Sequence, residues 1–124
     1  MSPAEFDTRR RLLGLSIQEA ADYLGVQHRT ASRWINGEYQ IPEDAIARLD
    51  KLGEAMERGV TEAVTEAQRQ RPDTVRLIRH GSQAAVDASP HAAGIPLGAH
   101  AMMIGWAMEA LEAEGFTVDV AWSE

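Results

Sequence analysis

The stretch Ser16–Trp34, SIQEAADYLGVQHRTASRW, restricts the fold more than any other part of the chain. Ser16 and Glu19 stand three apart ahead of an apolar-periodic run, the spacing at which a hydroxyl and a carboxylate satisfy each other's backbone N–H at a helix start. That helix ends near Leu24, Gly25 supplies the left-handed backbone of a tight turn, and Val26 follows as a buried residue. Gln27 is a tolerable cap for a third helix over about 28 to 36, closed by Asn36 and Gly37. Ala20, Leu24, Val26, Ala31 and Trp34 are the positions that two helices crossing at a sharp angle would press together, with Ala21 small where they approach. The same device precedes it: Ser2, Pro3 and Glu5 open a first helix that runs to about Leu13, and Gly14 stops it.

Beyond the loop YQIPED, in which Ile41 tucks under the bundle, Ile46, Leu49, Leu52, Met56, Val60, Ala63, Val64 and Ala67 recur at threes and fours, predicting a helix from Glu43 to about Gln70. Gly53 and Gly59 each weaken it by roughly 1 kcal/mol relative to Ala, which predicts a break or bend near one of them. RQRPD reads as a hinge. TVRLIRH then has strand composition, GSQAAVDASPHAAGIPLG an irregular run around a short helical piece, and LGAHAMMIGWAMEALEAEG returns to helical spacing. There Met103, Trp106 or Ala107, Leu111 and Phe116 mark an apolar stripe, and FTVDVAW alternates Phe116, Val118, Val120 and Trp122 as a strand would. The fold expected is mainly α: a helix-turn-helix bundle with an extended helix over residues 1–70, followed by a small α+β strand–helix–strand dimerisation module over 71–124. Alone, that module is too small to be secure, and two copies packing Trp106, Met102 and Met103 are safer.

The charge is laid out unevenly. Residues 1–41 carry five Arg against five acids, residues 42–72 five bases against seven acids, and residues 73–124 two against seven, for a net −7. Any polyanion must therefore meet the N-terminal third while the acidic remainder faces away. No cysteine is present, so disulfides and thiolate metal sites are excluded and a reducing, cytoplasmic setting is expected. The N-terminal residues hold no apolar run of signal-peptide length, and no window reaches the length of a membrane span. His80, His91 and His100 with Asp87 match no metal-ligand spacing, HAAGIPLGAH lacks the Lys and Ser/Thr of a phosphate loop, and no nucleophile elbow surrounds Ser82, Ser89 or Ser123. Neither an enzyme nor a cofactor is expected.

A duplex answers the basic cluster. The major groove admits an α-helix whose N-terminal residues reach base edges while the preceding helix crosses the backbone. With Ala31, Trp34 and Ile35 committed inward, His28, Arg29, Ser32 and Arg33 point outward. Arg29 first and Arg33 second are the candidates for bidentate readout of guanine. His28 suits a base or a phosphate, Gln27 and Thr30 suit phosphates, and Asn36 with the Gly37 backbone suits the strand beyond. The plain alternative is that Arg29 and Arg33 form a solvated face. Arg10 either contacts phosphate or is held in an internal pair with Glu19 or Glu38.

LSIQEAADYLGVQHRTASRWINGE resembles the Cro/repressor-type (xenobiotic-response-element) helix-turn-helix family over roughly residues 5 to 52. The order of RTASRWINGEYQIPED, a long helix, VRLIRH and MIGWAMEALEAEG is similar to that of small two-part bacterial regulators, the anti-CRISPR-associated autoregulators among them. The resemblance implies a homodimeric repressor that binds an inverted repeat in its own promoter, with Arg29 where the family's recognition helix places its essential arginine. Ile17 stands where many relatives have Gln and Ile35 where they have Glu, so one phosphate contact and one internal ion pair are not carried over. Two other classes stay open: an antitoxin-type protein whose acidic C-terminal module binds a basic partner, and a ligand sensor whose Met102, Met103, Trp106 and Trp122 line a pocket.

Overall fold

Serine caps set the first two helices of the computed structural model, which describes residues 1–124. At α1 (Pro3–Leu12) Ser2 Oγ accepts the Glu5 N–H at 3.1 Å, but the Glu5 side chain stays in solvent and makes no return bond. The first box therefore forms by half. At α2 (Ile17–Leu24) both halves form: Glu19 N–H donates to Ser16 Oγ at 3.0 Å and Ser16 N–H to Glu19 Oε1 at 3.2 Å. Gly25 follows at φ +73°, where a Cβ would meet nothing, so the dihedral and not space requires glycine. Val26 N–H closes the turn onto Ala21 O at 2.9 Å and α3 (His28–Ile35) begins, one residue shorter than expected because Asn36 is its C-cap. Phe6, Ala20, Ala21 and Ala31 expose no surface, and the nearly buried Trp34 stands edge-on to Phe6 at 5.7 Å. Val26, expected inside, is only half-buried.

α4 (Glu43–Gln70) runs for 28 residues, about 42 Å, as one unbroken helix through both glycines, so no break occurs at either. At Gly59 the neighbour supplies the reason for glycine. A Cβ there would lie 2.8 Å from Met103 Sδ, and its absence lets α6 (Leu97–Ala113) settle closely on α4. The helix stops at Arg71, held at φ +51° before Pro72. α4 joins the two halves of the chain: Leu49, Leu52 and Met56 share one core with α1–α3, and Ala99 of α6 belongs to it, flanked by Met102, Met103 and Trp106. None of these helices is long and apolar enough to cross a membrane.

β1 (Thr74–Arg79) and β2 (Thr117–Trp122) form a two-stranded parallel sheet in the register Val75 to Val118 and Leu77 to Val120. The crossover that parallel pairing requires is made by α5 (Gln83–Ala88) and α6. Parallel sheets ordinarily have both faces covered. Here no residue of either strand is buried. Phe116, Val118, Val120 and Trp122, which alternate as a strand would, close no core within one chain: Trp122 is 64 % exposed and Val120 and Ile78 are also open. One helix is too narrow to cover the sheet, and Trp122 lies against the Arg79 guanidinium, 4.8 Å from its ring centre, instead of joining Met102, Met103 and Trp106.

A buried histidine ties β1 to α6. His80 N–H donates to His100 Nε2 at 2.9 Å and the two rings stack at 5.1 Å, so neutral His100 carries its proton on Nδ1. Burial, then the neighbouring His80 and Arg79, push the His100 imidazole below its ordinary value of 6.5. The unfolded chain takes up this proton more readily than the folded one, so stability is complete above pH 6.5 and falls as the pH drops below it toward the folded value. Thermal unfolding of the full chain at pH 7.5 and pH 5.5 is expected to show a lower Tm at the acid value. His100→Gln, whose side-chain carbonyl still accepts from His80, is expected to flatten that difference; equal pH dependence in both proteins would refute the assignment.

Candidate nucleic-acid interface

Two inward side chains orient α3. Ala31 and Trp34 are buried and Ile35 is half-buried, so the helical period turns His28 and Arg29 into solvent. Arg29 makes no hydrogen bond and no ion pair with the rest of the chain. Gln27 is exposed, and no side chain caps the helix, so its first N–H groups and the positive end of its dipole accompany Arg29 and His28. Thr30 and Ser32 are half-buried on the flanks, and Asn36 is exposed at the far end. Of the seven residues expected at this surface, Gln27, His28 and Arg29 form one open corner at the helix N-terminus.

Arg33 departs from the expectation of a free outward cation. Gly37, at φ +78°, folds the chain back so that Glu38 N–H reaches Arg33 O at 2.9 Å. This return brings Tyr39 and Glu38 over the Arg33 side chain. Arg33 Nη1 donates to Tyr39 Oη at 2.8 Å, its guanidinium lies 5.1 Å from the Tyr39 ring centre, and Glu38 Oε2 is 3.6 Å from Nε. Sequence reading assigned neither Tyr39 nor Glu38 to this surface. The signal lay in Asn36-Gly37, a helix stop that also reverses the chain.

Arg10 is corrected as well. It is buried, but its partner is Asp7, not Glu19 or Glu38: Nη2 and Nε donate to Asp7 Oδ1 at 2.6 and 3.1 Å, while Nη1 donates to Leu15 O at 2.7 Å. Arg11 takes the other Asp7 oxygen at 3.0 Å. The i,i+3 and i,i+4 spacing of Asp7 from Arg10 and Arg11 was the available signal. The Arg10 hydrogen bond, reinforced by Arg11, holds the Asp7 carboxyl below its ordinary range in spite of its burial. Arg10 thereby braces the α1–α2 turn from inside, and Arg9 is left as the exposed α1 cation without a partner.

No group of three or more His, Asp or Glu side chains is placed to hold a metal ion; His80 and His100 stack on each other instead. Against known families, residues 8–52 match the helix-turn-helix model of the Cro/C1 type, a span that covers the second half of α1, all of α2 and α3, and the start of α4. No curated protein matches the chain. Asp7→Asn removes the carboxylate that compensates a buried guanidinium and is expected to lower stability by about 1–3 kcal/mol. Chemical denaturation of the two proteins measures it, and an unchanged midpoint would show that Arg10 is satisfied by Leu15 O alone.

Proposed function

We propose, on the premise that residues 8–52 are a Cro/C1-type helix-turn-helix, that this DNA-binding regulator is a homodimeric repressor of its own operon. It binds an inverted repeat through α3. The observation that carries the reading is the unpaired Arg29 beside the uncapped α3 N-terminus, aimed away from the Phe6–Trp34 core. In this reading Arg29 reads a guanine edge, while His28, Gln27 and the free N–H groups take base or phosphate contacts. Ser32, Thr30 and Asn36 flank them. Arg33 enters on exchange of Glu38 for DNA, since an exposed ion pair is worth only about 0–1 kcal/mol.

What supports a dimer is the outer face of α6. From Leu97 to Met108 the helix carries no Asp, Glu, Lys or Arg, yet only Ala99, His100 and Ala107 in that run are buried. Ala101, Ile104, Gly105 and Met108 share the side turned away from Ala99, and a Cβ at Gly105 would meet nothing. Next to this face are the uncovered sheet and its exposed Ile78, Val120 and Trp122. A basic partner protein would be drawn to the acidic charge of residues 73–124; an uncharged apolar face suits a second copy better. Two α3 helices in such a dimer would address half-sites about 34 Å apart, one turn of the duplex.

Gel-shift titration on the DNA upstream of its own coding region tests the DNA reading. Arg29→Ala is expected to weaken binding by about 1–3 kcal/mol and to relax preference at one base pair per half-site, whereas full retention of affinity would remove the proposed readout. Light scattering tests the dimer. The wild-type mass is expected at twice the 13.6 kDa of one chain. Gly105→Glu, which gains helix propensity and fills open space, is expected to be a folded monomer. A wild-type monomer, or a dimer that tolerates this charge, would refute the α6 interface.

A further inference from the structure

α6 has no cap of its own. Pro96 stands at its N-cap with no side-chain hydrogen bond, and its first turn has no acidic residue. The first N–H groups are met from elsewhere: Leu97 N–H donates to Gln83 Oε1 at 2.8 Å, and Gly98 N–H donates to Glu19 Oε2 at 2.8 Å. Glu19 Oε1 meanwhile accepts from Ser16 N–H as the returning half of the α2 capping box. One carboxylate thus caps two helices 79 residues apart in contact separation, the one that supports α3 and the one that carries the uncharged outer face. Charge-assisted bonds of this kind at a helix start are strengthened by the dipole.

The backbone around this carboxylate leaves no slack. A Cβ on Gly98 would overlap Gly14 O and lie 2.7 Å from Glu19 Oε1. A Cβ on Gly14, itself at φ +78°, would lie 2.5 Å from Gly98 O and 2.8 Å from Met102 Cβ. Two glycines facing each other bring the α1–α2 turn onto the start of α6, and Glu19 fastens the contact. Nothing in the DNA-reading surface needs this contact, because Glu19 lies on the opposite end of α2 from the Gly25 turn.

We infer that Glu19 is a positioning residue that fixes the angle between the α2–α3 pair and α6, and so sets which half-site spacings the protein accepts. The inference rests on the dimeric reading above. Without the Glu19 bond the two parts remain joined through α4 and through the apolar packing of Ala99, Met102 and Trp106 on the shared core, contacts that fix no direction as a hydrogen bond does, so the angle of the reading head loosens and the head does not detach.

The test uses the full chain and duplexes whose two half-sites are moved apart in single base-pair steps, with a lone half-site as reference. The wild type is expected to show a sharp spacing optimum, losing about tenfold in affinity within two base pairs of it. Glu19→Gln has only one acceptor oxygen for two N–H groups; it is expected to flatten the profile to about threefold or less while leaving lone half-site affinity unchanged. Ser16→Ala weakens the same α2 cap but keeps the Gly98 bond, and is expected to keep the wild-type profile. Gly98→Ala forces the two turns apart from the other side and is expected to flatten the profile even if Glu19→Gln folds poorly. A Glu19→Gln profile lowered equally at every spacing, or a Ser16→Ala profile flattened as much, would overturn the inference while leaving the dimer intact. A wild type with no spacing optimum would overturn the dimeric reading and this inference together.

Discussion

The close crossing of α2 and α3 over three alanines is the constraint on which the rest of the molecule depends. Ala20, Ala21 and Ala31 expose no surface, and only side chains this small let the two helices meet at the Gly25 turn. Trp34 then enters the space beside Phe6 at an interplanar angle of 83°, the edge-to-face arrangement that aromatic quadrupoles favour. With Ala31 and Trp34 inside, the helical period leaves no choice about residues 28 and 29. Arg29 is outward because two residues on its helix are inward. A larger side chain at position 21 or 31 would push α3 off its seat and move the guanidinium, even though neither alanine touches solvent.

Local signals in this chain were readable and non-local ones were not. The Ser16–Glu19 box, the Gly25 turn, the Asn36-Gly37 stop and the strand–helix–strand order follow from neighbours within four residues, and the structure places them as the residues predict. α4 does not break because a glycine penalty of about 1 kcal/mol is small beside the burial of Leu49, Leu52 and Met56 in the core, and at Gly59 the missing Cβ leaves room for Met103. Alternation says which residues share a face of a strand, but not whether anything covers that face. At the proposed DNA surface, the outward direction of residues 27 to 29 follows from period alone, whereas the ties of Arg33 to Tyr39 and of Arg10 to Asp7 depend on rotamers and chain reversal.

The C-terminal half is built as a partial structure. A two-stranded parallel sheet has too few strands to be stable by itself, and its single crossover cannot cover it. What holds it is attachment: Ala99 enters the N-terminal core, Met103 packs on Gly59, and His100 pins the end of β1. The apolar surface left over lies on the outside of α6 and on the sheet, whereas the unpaired Arg29 stands at the start of α3. One chain therefore carries both an uncharged apolar face and an exposed arginine at a helix start, the two surfaces that the proposed dimer and the proposed duplex contact would use.

The two arginines of α3 illustrate how this division bears on recognition. Arg29 has no hydrogen-bond or ion-pair partner within the protein, so under the proposed reading a guanine edge would need only to displace water. Arg33 is held by a neutral phenol and one exposed carboxylate, a set of contacts weak enough to be exchanged yet sufficient to restrict the side chain beforehand. In the proposed DNA reading the first arginine would supply discrimination directly, while the second would make its own contact as Glu38 gives way to the approaching phosphates. Because residues 73–124 carry seven acids against two bases while residues 1–41 balance, a duplex that approaches the C-terminal half meets net negative charge, and the N-terminal third, where Arg29 stands free, opposes it less.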